Sequence, residues 1–322
     1  MGLNVHGTKS LMYAKTQGAS FTRTAMIGRQ ELHLSADALK TNLLNFGYAT
    51  AAGEHHDLIR KAGGFAEPLL TALGAIEICS FDASEFEGAS NVVDFNFPIE
   101  ESFKNRFTAV IDSGTLEHIF NFPVAIKNCM EMVEVGGHFI GITPANNWLG
   151  HGFYQFSPEL FFRIFSEPNG FRIVRMIMFE NQQEAEWFEV ADPDSIRERV
   201  SLVNSQPTNL MVLAEKVSSV QILATQPQQS DYVAMWKSKD TKSEAGTSPK
   251  PALINGRGPG ASSFSRMVRR LYGLAPASVK RLYHRVRNQP FANARFFTRL
   301  QIPGVRLQTN LRSNKTPANC SN

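Results

Sequence analysis

Two histidines and one dense polar loop are the residues of this chain best suited by type to do chemistry. His118 follows Leu116 and Glu117, shortly after Asp112, and His151 stands between Gly150 and Gly152. An imidazole with its ordinary pKa of about 6.5 suits a general base acting on an acceptor hydroxyl. Either histidine can serve, and the sequence does not choose between them. Around His151, the run ANNWLGHGFYQFSP gathers Asn146, Asn147, Tyr154 and Gln155 among Trp148, Phe153 and Phe156. Polar groups interleaved with aromatic faces suit a small hydroxylated acceptor, such as a sugar or glycan precursor, whose rings stack while its hydroxyls bond to amides. The competing reading is an ordered loop whose Asn side chains satisfy turns and whose aromatics fill core.

Other clusters carry less. His55 and His56 lie between Glu54 and Asp57, but adjacent residues do not easily aim at one ion. With no second ligand group at metal spacing, a solvated loop and no metal site are expected. Cys79, Cys129 and Cys320 form no CxxC pair, which argues against a zinc site or a disulfide framework and suits a reducing cytoplasm. No apolar run is long enough to span a bilayer, and the first residues do not read as a secretory signal. A cytoplasmic protein is expected, its tail able to bring it to the inner membrane face.

That tail is separated by charge. The net charge of +4 over 322 residues conceals a split, since 17 of the 33 Lys and Arg, but only two of the 29 acids, lie from Lys237 onward. That stretch carries +15 and the preceding 236 residues −11. Three segments follow: a globular domain over 1–236, a linker over 237–263 rich in Gly, Ser, Pro and Lys, and a basic tail with short helices over 264–322. The tail's Arg-Arg-Leu-Tyr and Lys-Arg-Leu-Tyr pieces suit an acidic membrane surface or an acidic protein. Nucleic acid is the less favoured partner.

The elements that must position the histidines alternate. Strands are predicted over 24–28, 75–82, 91–98, 107–112, 138–143 and 171–180, with closing segments at 209–217 and 231–236. Helices are predicted over 36–46 with Ser35 as N-cap, over 65–73, from Asn121 as cap to about Glu134 with Gly136-Gly137 as stop, and from Ser157-Pro158. Such alternation builds a Rossmann-like α/β fold, a mostly parallel sheet with helices on both faces. Phe107-Thr-Ala-Val-Ile-Asp112, apolar on both faces, suits its interior.

From Asp112 through Leu116-Glu117-His118, Val135-Gly136-Gly137 and Thr143-Pro144, the chain resembles the class I S-adenosylmethionine-dependent methyltransferases of the small-molecule type. The resemblance covers about residues 24–236 and implies S-adenosylmethionine as cofactor. It places Gly28 at the first turn, Asp82 on the ribose diol and Asp94 at the adenine amino group. It also sets Ser113-Gly114-Thr115 against the methionine portion and sulfonium, and counts Asp112 among the cofactor-binding residues. The family's first strand runs into a glycine-rich loop; here the strand runs Met26-Ile27-Gly28-Arg29-Gln30-Glu31, with one glycine. That degenerate loop supports an alternative, an inactive methyltransferase-like scaffold working through its surface and basic tail. A nicotinamide enzyme is not expected, because no G-x-G-x-x-G follows the first strand.

Overall fold

A computed structural model describes residues 2–49, 54–243 and 291–303. Its strands are β1 (Gly2–Leu3), β2 (Arg23–Ile27), β3 (Glu31–Leu32), β4 (Glu77–Asp82), β5 (Asn91–Val92), β6 (Phe107–Ser113), β7 (Val133–Asn146), β8 (Phe171–Glu180), β9 (Phe188–Val190), β10 (Thr208–Lys216) and β11 (Phe297–Arg299). Its α-helices are α1 (Val5–Thr16), α2 (Ala36–Asn45), α3 (Glu54–Arg60), α4 (Glu67–Ala72), α5 (Phe122–Met132), α6 (Pro158–Ile164), α7 (Pro193–Ile196) and α8 (Ser230–Ser243).

The main sheet has the order β11-β9-β8-β10-β7-β6-β2-β4-β5. The five strands from β7 to β5 are mutually parallel. β10 is antiparallel to both β7 and β8, so β8 runs with the five again. This is the mostly parallel α/β sheet expected. The chain winds outward from β2 through β4 to β5, then returns to β6 and winds the other way. The reversal falls between β2 and β6, which is where an open sheet of this kind leaves a crevice beyond its carboxyl ends.

Strand periodicity sorts the core into two layers. Val110 and Phe139 pack with Ile126, Cys129 and Phe161 of α5 and α6. Their neighbours Ala109, Ile111 and Ile140 turn to the opposite face, against Leu11 and Met12 of α1, Leu39 of α2 and Leu69 of α4. Ser35 caps α2 as expected, its hydroxyl accepting the Ala38 N–H at 3.2 Å.

Several elements differ from the sequence reading. Residues 231–236, expected as a closing strand, belong to α8. Asn121 precedes α5 without capping it by its side chain; that amide instead donates to Asn96 O at 3.0 Å. Gly136-Gly137 do not stop α5, which passes straight into β7 and leaves the two glycines inside the strand. α1 was not anticipated, because His6, Thr8, Lys9 and Ser10 of its buried stretch are polar. Most of the linker and tail, residues 244–290 and 304–322, lies outside the described residues.

Residues 291–303, read from sequence as basic tail, join the sheet. Phe297 pairs with Val190, and the Phe291 ring stacks on Phe188 at 4.3 Å. Phe297→Ala is expected to cost about 2 kcal/mol in urea unfolding, less than a central Phe because the sheet edge can collapse around the gap. A cost within about 0.5 kcal/mol, normal for surface sites, would remove β11 from the folded core.

Candidate active site at the carboxyl edge

Asp112, the penultimate residue of β6, is 1% exposed. Its Oδ1 accepts the backbone N–H groups of Thr115 (3.1 Å) and Leu116 (3.2 Å), folding the chain sharply after the strand. Gly114, inside that turn, has φ +89°, where a side chain is strained. The Thr115 hydroxyl donates to Ile27 O at 2.7 Å, tying the loop after β6 to the end of β2. The two strand ends on either side of the reversal are thereby fixed to each other. The Ser113 hydroxyl contacts Gly2 O at 3.4 Å, and β1 pairs with β3 just beyond, so the N-terminal strand borders the same crevice.

The turn delivers Glu117 into the interior. Its side chain is buried, yet neither carboxylate oxygen has a hydrogen-bond partner among the described residues; the same holds for Asp112 Oδ2 and Thr143 Oγ1. His151 Nε2 stands 3.4 Å from Glu117 Oε1, and the His118 and His151 rings are 5.0 Å apart. Burial raises the pKa of Asp112 and of Glu117, and the Asp112 charge raises Glu117 further. Burial lowers His118, and His151 beside it adds to the effect. Two carboxyl groups and two imidazoles thus meet at the ends of β6 and β7. Leu116-Glu117-His118 is visible in the sequence, but Glu117 itself was not singled out. Its partner His151 is distant along the chain, and only the fold joins them.

The loop over 147–157 is fastened onto this turn. Glu117 O accepts from Phe153 N (2.7 Å) and Tyr154 N (3.3 Å), and Phe156 N donates to Pro144 O. The approach is close at Gly152, whose φ is +77° and where an added Cβ would lie 2.8 Å from Glu117 O. Gly152→Ala is therefore expected to lift the loop and carry His151 away from Glu117. Stability should fall by about 1–2 kcal/mol from backbone strain and the clash. Measured stability and His151 line position by NMR check this; an unmoved His151 resonance would contradict it.

The remaining polar residues mostly tie the loop to neighbouring segments. Asn147 donates to Asn204 Oδ1 (2.8 Å) and Gln206 O (2.9 Å), and Asn146 to Asn204 Oδ1. Gln155 Oε1 accepts from Trp148 N at 2.7 Å, and Tyr154 donates to Phe120 O at 2.6 Å. Around His151 the rim is apolar: Phe120, Leu149 and Phe153 are 73%, 92% and 66% exposed.

On the other wall, Gly28 has φ +71° and its N–H donates to Phe81 O. Gln30 is fully buried, its amide folded back onto Ile27 O at 2.7 Å. Arg29 crosses toward the loop after β4, bonding Glu67 Oε1 (2.7 Å) and Glu87 O (2.9 Å) and lying over the Phe65 ring. Asp82 Oδ1 accepts from Ser84 N, and Asp94 Oδ1 from Asn96 N and Nδ2. Gly28, Asp82, Asp94, Asp112, Gly114 and Thr115 thus all stand along one edge, at or just past the ends of β2, β4, β5 and β6. His55 and His56 pack ring to ring in α3. Among the described residues, the group of three that could hold a metal ion is Glu117, His118 and His151, a set not anticipated from sequence.

No protein-family model and no curated protein matches the chain. Solved structures similar to it include a Bacillus halodurans protein assigned as a methyltransferase, at 10% identity and TM-score 0.36, over 66% of this chain and 100% of that one. The N-methyltransferase NodS from Bradyrhizobium japonicum is similar at 11% identity and TM-score 0.35, over 65% of this chain and 94% of its own. The branched-chain polyamine synthase from Thermus thermophilus, at 12% identity and TM-score 0.35, is matched over 67% of this chain and 58% of its own.

Proposed function

We propose that this protein transfers a methyl group from S-adenosylmethionine to a hydroxyl of a small acceptor, a sugar or glycan precursor fitting best. The observation that carries this reading is the reversal of strand order between β2 and β6, where an open α/β sheet takes its ligands, with buried acid groups and two imidazoles beside it. The residues present fit an adenosyl donor. Gly28 and Gly114 are both left-handed turns, the kind that lets a ligand approach backbone. Asp82 ends β4 and Asp94 follows the adjacent β5 by two residues; their carboxylates can accept hydrogen bonds from a ribose diol and an adenine amino group.

When bound, S-adenosylmethionine supplies an electrophilic methyl on a sulfonium. Asp112 holds the Gly114–Thr115 turn against the crevice through its two backbone bonds. The apolar rim of Phe120, Leu149 and Phe153 offers faces on which a sugar ring stacks. Of the loop polar groups, Asn146, Asn147, Tyr154 and Gln155 serve the acceptor by holding that rim in place. The cluster of Glu117, His118 and His151 receives the acceptor hydroxyl and handles its proton, with positioning as the main contribution to rate. The +15 segment from Lys237 onward suits an acidic membrane surface or protein partner.

A specific observation favours the second reading, an inactive scaffold: Arg29 bridges the loops after β2 and β4 on the ribose side. Calorimetry of the full chain with S-adenosylhomocysteine decides. Saturable binding at one site per chain, weakened by Asp82→Ala, is expected. Absence of heat at millimolar ligand would leave the scaffold.

A further inference from the structure

We infer that Glu117, His118 and His151 form a binding site for a divalent transition-metal ion of the zinc class. The site shares its residues with the acceptor side of the proposed methyltransferase but does not depend on a methyl donor. One ligand atom from each of the three lies within 4.8 Å of the others. Two ligands bound tetrahedrally to zinc stand about 3.4 Å apart, given metal–ligand bonds of about 2.0–2.1 Å. The His151–Glu117 pair is already at 3.4 Å, so only His118, within 4.8 Å of both, must close.

The second observation is the state of Glu117. Its side chain is 1% exposed, and both oxygens lack a hydrogen-bond partner among the described residues. A buried carboxylate with neither oxygen hydrogen-bonded is costly, and a bound cation offsets that cost. Thr143 Oγ1, equally unpartnered, adds a polar atom at the end of β7. The ligands are also held in place. Glu117 O is bonded by Phe153 N and Tyr154 N, so the loop that carries His151 is clamped to the residue that carries the carboxylate.

The donor set selects the ion. Two imidazoles and one carboxylate suit zinc, cobalt or ferrous iron, whereas magnesium and calcium prefer all-oxygen shells. Three protein ligands leave at least one position open, as in catalytic rather than structural zinc sites. His151 is half-exposed and shares its loop with Leu149 and Phe153 of the apolar rim.

The test uses the full chain stripped of metal and titrated with Co2+, read by visible absorbance, and with Zn2+, read by calorimetry. One ion per chain is expected. His118→Ala and His151→Ala should each weaken binding by at least about tenfold, and the double variant His55→Ala/His56→Ala should leave it unchanged. His151 sits on a half-exposed loop, so its variant folds even where Glu117→Gln does not. No stoichiometric uptake, or uptake indifferent to both histidine variants, overturns the site. Cobalt bound through these ligands without S-adenosylhomocysteine binding would sink the methyl-transfer reading alone; the reverse result would sink only the metal site.

Discussion

Lys216→Ala is expected to destabilise the protein by about 4 kcal/mol, the largest single-residue loss foreseen here. Lys216 ends β10 and is 2% exposed. Its Nζ donates to Asn105 Oδ1 (2.7 Å), Val133 O (2.8 Å) and Met130 O (3.3 Å), and lies 5.9 Å from the Phe171 ring centroid. α5 passes into β7 with no intervening loop, so its last carbonyls lack intrahelical partners. The ammonium group supplies them. Truncation leaves buried acceptors unsatisfied, at roughly 1–3 kcal/mol each before relaxation, and opens a cavity. Lys216→Met keeps the volume and loses only the bonds, so it should cost roughly half as much. Urea unfolding of both variants checks the ordering; equal and small losses for the two would show that water replaces the ammonium.

Acid should remove about 3 kcal/mol of stability through His6 alone. Its ring is 2% exposed and stacks on Phe179 at 4.5 Å. Trp187 Nε1 can only donate, and it reaches His6 Nδ1 at 3.0 Å, so Nε2 carries the proton that bonds Gln182 O at 2.6 Å. Burial, the dominant cause, lowers the pKa from 6.5 to about 4. In the unfolded chain His6 takes up its proton near pH 6.5, whereas the folded chain resists until about pH 4. The contribution is full above pH 6.5 and lost as pH falls toward 4, at about 1.4 kcal/mol per pH unit. His6→Gln can keep both hydrogen bonds and cannot titrate. Its stability should therefore decline less steeply between those pH values than that of the parent. The difference between the two slopes isolates His6 from Asp112 and Glu117, whose raised pKa values act in the opposite direction. Parallel slopes would mean that His6 is protonated in the fold.

The two cases expose what the sequence hides. His6 and Lys216 are polar residues whose burial depends on partners far along the chain, Gln182 and Trp187 for one, Asn105 and Met130 for the other. In a linear reading, α1 looks too polar to be core, and the glycines after α5 look like its stop. The closing strand assigned to 231–236 was a similar error: a short stretch of apolar and aromatic residues is compatible with either periodicity, and α8 took the helical one.

The sequence by itself determined the repeating alternation of strand and helix, because apolar runs such as 107–112 can be buried only inside a parallel sheet. It also determined that Asp82 would end a strand, and that the first turn would be poor in glycine; the strand expected over 91–98 stops at Val92, short of Asp94. Tertiary structure alone decided that Glu117 and His151 meet, that the Asn146 and Asn147 amides bond to the segment before β10, and that β11 comes home to β9. Those facts rest on contacts between residues distant along the chain, and local propensity and spacing hold no record of them. The physical reason is that a strand or helix is selected by its neighbours in sequence, whereas a site is selected by whichever loop ends the fold happens to bring to one edge.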